Sequence, residues 1–342
     1  MTLADDLENL RKEQDPEIAE LRKALVLAQK QLAKAKDRTT ELVEATIRAA
    51  HDATLALGAV KPVAPPAPDK RKAKAEVALI HATDWQGSKV TPSYNTEIMQ
   101  KRVMEFAKKI VRLTEIQRAD HPCPSAVVCF GGDMVEGLFN YPAALWQIDL
   151  SLFEQFTTVA RLEVDFIRYL LAHFEKVTVV AEWGNHGRIG SKRDHVPKSD
   201  NVDRMTYALA RAILKDEKRL SWEDSAEDIQ KVEIGNYRAL LMHGDELGRN
   251  GFASPSAWQA AGNRWMAGAF DWDFQDILIG HYHRHAQEPI QGNGTLYWTG
   301  STESDNRYAR DSMAASGQPS QRLMFVDPIK GRITANYQVW LD

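Results

Sequence analysis

The chain has 342 residues, 44% of them hydrophobic, and a formal charge of −4. That length carries one large core plus an appendage, and the charge gives no bulk electrostatic case for a nucleic-acid partner. Two cysteines, Cys123 and Cys129, do not make a disulfide scaffold, and no apolar run reaches transmembrane length.

The acidic start, MTLADDLENLRKEQ, lacks the apolar core of a signal peptide. A reducing cytoplasm and no membrane partner are therefore expected. From Ile18 through Leu21, Leu25, Ala28, Leu32, Ala35, Thr39 and Leu42 to Thr46, apolar and small residues alternate at spacings of three and four. That is an a/d heptad seam. Asp15 and Pro16 read as the cap and first turn of a helix. A helix over 16–57 would be roughly 60 Å long. So narrow a stripe needs a partner: another copy, giving a homo-oligomeric coiled coil, or the chain's own catalytic domain. Four prolines between Pro62 and Pro68 end any helix and predict a stiff extended linker over 58–75. Lys70, Arg71, Lys72 and Lys74 close it with a small basic run.

From residue 76 onward apolar runs and amphipathic stretches alternate. Strands are predicted at 76–81, 126–130 and 177–181, and helices at 95–119, within 143–174 and at 201–216, the last capped by Asn201 or Ser199. A hairpin is predicted from 232–234 to 238–242 across Gly235-Asn236. Further strands follow at 276–279, 294–299, 321–326 and 332–339. A βα front half and a strand-rich back half predict a two-sheet α/β sandwich, layered α/β/β/α. The division expected is an arm over 1–57, a linker over 58–75 and a catalytic domain over 76–342.

Five stretches run from apolar residues into Gly with Asp, Asn or His: LIHATDWQG at 79–87, AVVCFGGDMVEG at 126–137, VTVVAEWGNHGR at 177–188, HGDE from His243, and ILIGHYHRH at 277–285. Ligand side chains of α/β sheets lie beyond the carboxyl ends of strands. Five such ends read as one metal centre. Asp84 and Gln86 reach one ion across a tight loop, Asp133 has two oxygens with which to bridge two ions, and Asn185 offers a neutral oxygen. His243, His281 and His283 offer imidazoles. This mixture suits Mn²⁺, Fe, Zn²⁺, Ni²⁺ or Co²⁺ better than an all-oxygen cage for Mg²⁺ or Ca²⁺. Two ions about 4 Å apart activate a bridging hydroxide and hold two phosphate oxygens. His186, beside Asn185, is the candidate for stabilising the charged transition state or protonating the leaving oxygen.

These stretches resemble the calcineurin-like metallophosphoesterases, whose pattern is D-x-H, G-D, G-N-H, a histidine and G-H-x-H. The matching residues are Asp84-Trp85-Gln86, Gly132-Asp133, Gly184-Asn185-His186, His243 and Gly280-His281-Tyr282-His283. The resemblance covers about residues 76–300. It implies a first ion on Asp84, Gln86, Asp133 and His283, a second on Asp133, Asn185, His243 and His281, and His186 as the catalytic histidine. Gln86 stands where the family carries histidine. An amide oxygen is a harder, weaker donor, so the first site is expected to bind more weakly, to favour Mn²⁺ or Mg²⁺, or to fill only with substrate present, unless Gln86 stands outside the shell. Arg188 takes a position where an acidic residue is common, and a phosphate contact is one reading of it. Lys192 and Arg193 lie in the loop that follows. Asp245 is expected to orient His243 from behind. Arg307 and Arg310 are further candidates for substrate contact.

The resemblance extends to the nuclease branch, the Mre11/SbcD-like exonucleases and related phage proteins. It implies a Mn²⁺-dependent DNA phosphodiesterase, exonuclease or endonuclease, with DNA and a DNA-processing protein as partners, in the host cytoplasm if phage-encoded. The alternative is a small-molecule or cyclic-nucleotide phosphodiesterase, or a phosphoprotein phosphatase.

Overall fold

A computed structural model describes residues 60–71, 73–139, 147–190, 198–223, 225, 227–247, 252–306 and 318–342. The predicted coiled-coil arm lies outside the described residues, as do Lys192, Arg193, Arg307 and Arg310.

Two mixed sheets carry the fold. The first has six strands: β1 (Val77–Ala82), β2 (Ser125–Gly131), β3 (Lys176–Glu182), β4 (Leu220–Trp222), β10 (Ser320–Asp327) and β11 (Arg332–Trp340). Their spatial order is β11-β10-β1-β2-β3-β4. β1 to β4 run parallel, and β10 returns antiparallel against β1. The second has five: β5 (Gln230–Ile234), β6 (Tyr237–Met242), β7 (Asp276–Ile279), β8 (Ala286–Pro289) and β9 (Thr295–Trp298), in the order β5-β6-β7-β9-β8. Here β6, β7 and β9 are the parallel centre. The predicted hairpin forms across Gly235-Asn236, with Gly235 at φ 60°.

Side-chain alternation explains how the sheets stack. Leu278 of β7 and Ala239 and Leu241 of β6 point inward, onto Leu79, Val127, Cys129 and Val180 of the first sheet. Their neighbours Ile277, Ile279, Leu240 and Met242 point outward, onto Trp258. The apolar run ILI thus serves two cores at once, which a strand buried on both faces requires. Truncating Leu278 to Ala in such a site costs about 2–5 kcal/mol. Both cysteines are free and buried.

Helices cover the outer faces. α1 (Thr96–Arg118) starts where the Asn95 side chain accepts the Ile98 amide, and it buries Met99, Val103, Phe106 and Ile110 along one stripe. α2 (Leu152–Leu171) is the described helix within 143–174; Ser151 and Glu154 cap it reciprocally. α3 (Val202–Ile213) starts at Asn201 and ends earlier than the predicted 216. α4 (Pro255–Arg264) carries Trp258 beneath the second sheet, behind a Ser254 cap and Pro255 in the first turn. Trp85, Trp183 and Trp258 are buried; Trp85 packs edge-on against Phe130 and Phe166.

Residues 60–71 have no helix or strand, yet they are not a free spacer. Arg168 donates to the Lys61 carbonyl, Val63 exchanges hydrogen bonds with Glu217 and Arg219, and the Asp69 amide donates to Glu175. Arg71 of the basic run pairs with Asp69 at 2.6 Å.

Candidate metal centre

The centre forms where five parallel strands end. β1 delivers Asp84 and Gln86, β2 delivers Asp133, β3 delivers Asn185 and His186, β6 delivers His243, and β7 delivers His281 and His283. The loops are zipped by their backbones: Asp84 N–H donates to the Gly132 carbonyl and Gln86 N–H to Asp133, each at 2.9 Å. The β2 and β3 loops approach so closely that a Cβ on Gly184 would collide with the Asp133 carboxylate.

Backbone conformation marks the same residues. Asp84, Gln86, Asp133, His281 and His283 have φ of 53°, 51°, 51°, 63° and 49°, the left-handed region that L-residues avoid. Strain of this kind collects at functional sites because the surroundings over-determine it. One such device is Asp203, in the first turn of α3. Its buried carboxylate accepts the backbone N–H groups of Asp133, Met134, Val135 and Gly184 at 2.9–3.2 Å.

Asp133 is the hub. Its Oδ2 lies 3.1 Å from His243 Nε2 and 3.3 Å from Gln86 Nε2, and its Oδ1 accepts the His186 amide. On one side, His283 Nε2 sits 3.1 Å from Asp84 Oδ1 and 3.4 Å from Gln86 Nε2. On the other, His243 Nε2 is 3.1 Å from Asn185 Oδ1, and the His281 ring stands edge-on to His243 at 5.0 Å. Two half-sites sharing Asp133 result: Asp84, Gln86 and His283, then Asn185, His243 and His281. Asp133, His243 and His281 each present a ligand atom, all within 4.8 Å of one another.

The donor set fits a divalent metal. Among the described residues, His281 Nε2 and Gln86 Oε1 are buried with no hydrogen-bond partner, although buried polar atoms are ordinarily paired. The two ends of an amide are interchangeable by rotation. Turning Gln86 puts its oxygen, a metal donor, between Asp133 and His283. Gln86 itself is buried inside the cluster.

Charge follows the same layout. Burial raises the Asp133 carboxyl, but His243 and His186 outweigh it and hold it well below the usual range. Burial disfavours a charged ring at His243, but Asp133 reverses this and keeps its proton well above the ordinary range. His283 is pushed up to about 10: burial opposes the charge, and Glu303 and Asp84 prevail. His281 goes the other way, to about 3, through burial and then the neighbouring His243, and stays a neutral donor.

His186 lies beside the hub, its Nε2 3.8 Å from Asp133 Oδ2. Its Nδ1 meets the Glu136 carboxylate at 3.2 Å and the Glu136 carbonyl at 3.1 Å. Burial lowers its proton affinity, yet Asp133 and Glu136 raise it above the ordinary value. Glu136 is thus the acidic partner of the His186 ring. Arg188 donates to Asp245, at 2.7 Å. His243 Nδ1 lies 2.8 Å from the Gly131 carbonyl, and the Asp245 charge helps to raise the proton affinity of His243. His81 is buried and bonded to Thr299, outside the cluster.

Sequence reasoning missed Glu136, Glu303, Lys89 and Asp203. Glu303 hydrogen-bonds His283 Nδ1, and Lys89 pairs with both glutamates. Only position hinted at them: Glu136 and Lys89 each follow a candidate ligand by three residues.

No family model matches the sequence, and no curated protein matches it. Among solved structures, the chain is similar to a zinc-complexed Vps29 from Entamoeba histolytica (12% identity, TM-score 0.34, covering 78% of this chain and 99% of that one). It is also similar to a putative 5'-nucleotidase from Staphylococcus aureus (11%, 0.36, 78% and 54%) and to a 5'-nucleotidase from Candida albicans (11%, 0.34, 83% and 54%). The chain spans about half the length of both nucleotidases. No helix among the described residues is long and apolar enough to cross a membrane.

Proposed function

We propose that the chain is a metal-dependent phosphodiesterase whose substrate is a DNA phosphodiester. The observation that carries the hydrolytic reading is the convergence of seven candidate ligands, in two half-sites, on the shared carboxylate of Asp133. Asp84, Gln86, Asp133 and His283 would hold one ion; Asp133, Asn185, His243 and His281 would hold the other. Bound ions would supply Lewis-acid polarisation of the phosphate and activation of a water molecule.

The chain's own residues supply the rest. Glu136 accepts a hydrogen bond from His186 Nδ1–H and so fixes the ring, leaving Nε2 to face the hub. Asp133 and Glu136 raise the proton affinity of His186 above the ordinary value against the effect of burial, which favours a proton on Nε2. From there it donates to the oxygen that leaves phosphorus. Arg188, held by Asp245 and 14% exposed, offers its remaining N–H groups to a non-bridging phosphate oxygen.

Support for a nucleotidic substrate comes from Phe252. It is 38% exposed and stacks on His281 at 4.5 Å, which puts an open aromatic face at the centre. One observation favours a second reading, a small phosphodiester. Lys89, Arg188 and Lys198 around the centre are each paired with carboxylates rather than set along a groove.

Cleavage of end-labelled linear and circular DNA with Mn²⁺, beside bis-p-nitrophenyl phosphate, decides between them. DNA cutting lost in His186→Ala supports the nuclease, and circular DNA separates endonuclease from exonuclease. Turnover of the small diester with DNA left intact overturns the DNA assignment.

A further inference from the structure

We propose that Lys89 is a positioning residue that holds the leaving-group histidine and the first metal half-site in one register. The inference rests on the reading above for what His186 and His283 do.

The Lys89 side chain is 6% exposed, between Glu136 and Glu303, which are 0% and 3% exposed. Its Nζ lies 3.4 Å from Glu136 Oε1 and 3.4 Å from Glu303 Oε2. Each glutamate turns its other oxygen to an imidazole: Glu136 Oε2 is 3.2 Å from His186 Nδ1, and Glu303 Oε1 is hydrogen-bonded to His283 Nδ1. The result is a buried chain, His186–Glu136–Lys89–Glu303–His283, that passes behind the hub. Asn306 adds a second donor to Glu303 at 2.7 Å.

Three physical points give this chain a role beyond charge balance. Carboxylates lose their hydration when buried and need a cation nearby; one ammonium serves both. An ammonium is a compact charge with three donors, suited to bridging two acceptors. Lys89 is also tied to the ligand loop itself, since its amide donates to the Gln86 carbonyl at 2.9 Å. Moving the amine therefore moves both glutamates, and through them the rings that face Asp133 and Asp84. Ligand histidines depend on such partners for ring orientation and basicity. Gln86 makes the first half-site the weaker of the two, so it is the one that depends most on a fixed His283.

The test compares Lys89→Met, Glu136→Gln and Glu303→Gln in the full chain. Mn²⁺ binding is followed by electron paramagnetic resonance, with kcat and KM measured on bis-p-nitrophenyl phosphate. Lys89→Met is expected to weaken one of the two Mn²⁺ sites by roughly 10–100-fold, to leave the other unchanged, and to lower kcat with little change in KM. Glu303→Gln should reproduce the metal loss, and Glu136→Gln the kcat loss with Mn²⁺ affinity intact. A folded Lys89→Met chain that binds two Mn²⁺ with wild-type affinity overturns the proposal, whatever its melting temperature. Should Lys89→Met not fold, Lys89→Arg replaces it: the charge stays but its position shifts. Weakened binding at one site then supports the proposal, and wild-type binding at both overturns it. A wild-type chain that binds two Mn²⁺ and hydrolyses no diester overturns the phosphodiesterase reading and with it the leaving-group role of His186, while the Mn²⁺ affinities still decide the role of Lys89 at the metal half-site.

Discussion

Loading the metal-free chain with Mn²⁺ should expel protons, and the number follows from the site. His243 and His283 keep their protons above neutrality, held chiefly by Asp133 for the first and by Glu303 and Asp84 for the second. His281 is already neutral, and Asp133 is already ionised. A metal takes imidazole only without its proton, so filling both half-sites at pH 7 releases about two protons per chain. Each proton makes the association constant rise about tenfold per pH unit; two make the overall constant rise about 100-fold per unit near neutrality. Calorimetric titrations at pH 7 in PIPES and in Tris separate binding heat from buffer ionisation heat, and the difference counts the protons. His283→Asn should release one fewer. The same linkage has a stability side. A raised histidine stabilises the fold below its ordinary value of 6.5, and for His283 this is lost as pH rises through about 10. The metal-free chain should therefore melt at lower temperature as pH is raised from 7 toward 10. Heats of binding that do not depend on the buffer would refute the reasoning.

Other expectations follow from single contacts. His186→Asn should lower kcat by about 10²–10⁴-fold while Mn²⁺ affinity stays put; a matching loss of Mn²⁺ would make His186 a ligand instead. Gln86→His should strengthen the weaker Mn²⁺ site by about tenfold, because histidine tolerates left-handed backbone and brings a better donor; unchanged titrations would place residue 86 outside the shell. Asp203→Asn should cost about 2–5 kcal/mol in urea denaturation, since an amide offers one acceptor oxygen where the carboxylate meets four N–H groups; a loss under about 0.5 kcal/mol would contradict the cradle. His81, buried beside Arg322, has its proton affinity pushed down to about 3. Stability should fall as pH drops from 6.5 toward 3, with His81 adding at most about 1.4 kcal/mol per pH unit. His81→Gln should flatten that limb of the urea midpoint curve; an equally steep limb would exonerate His81.

The sequence spoke most clearly where local chemistry and tertiary demand agree. The strands of the parallel centres announced themselves as apolar runs ending in glycine, because a strand buried on both faces cannot be polar and a loop passing close to another needs glycine. Asn201 and the Gly235-Asn236 turn were legible for equally local reasons. β8 was not, because Ala286–Pro289 alternates half-buried and exposed on a sheet edge and has no apolar run. α4 was missed although Ser254-Pro255 is a recognisable helix start, because its burial falls on so few residues. At the site, candidate ligands could be read because they lie in order after strands. The carboxylates behind them could not. Glu303 reaches His283 from a different loop, and Asp203 reaches Asp133 across 70 residues. Asp245 has a partner that adjacency to His243 did not suggest, the Arg188 guanidinium.

The left-handed backbone of five candidate ligands explains why so much polar structure surrounds them. At about 1 kcal/mol each, their strain is a sizeable part of the 5–15 kcal/mol that stabilises a typical domain. It persists because other contacts leave those loops no alternative. Asp203 gathers the β2 and β3 loops. Ser301 donates to the Asp84 carbonyl and Tyr94 to that of Trp85, pinning the β1 loop. The Asp84 carboxylate accepts the His281 amide and so ties β1 to β7 across the two sheets. The ligand loops are therefore fixed by protein contacts that reach them from both sheets. A site built this way spends folding energy on geometry rather than on stability, which is the arrangement expected where charge must be stabilised during a reaction.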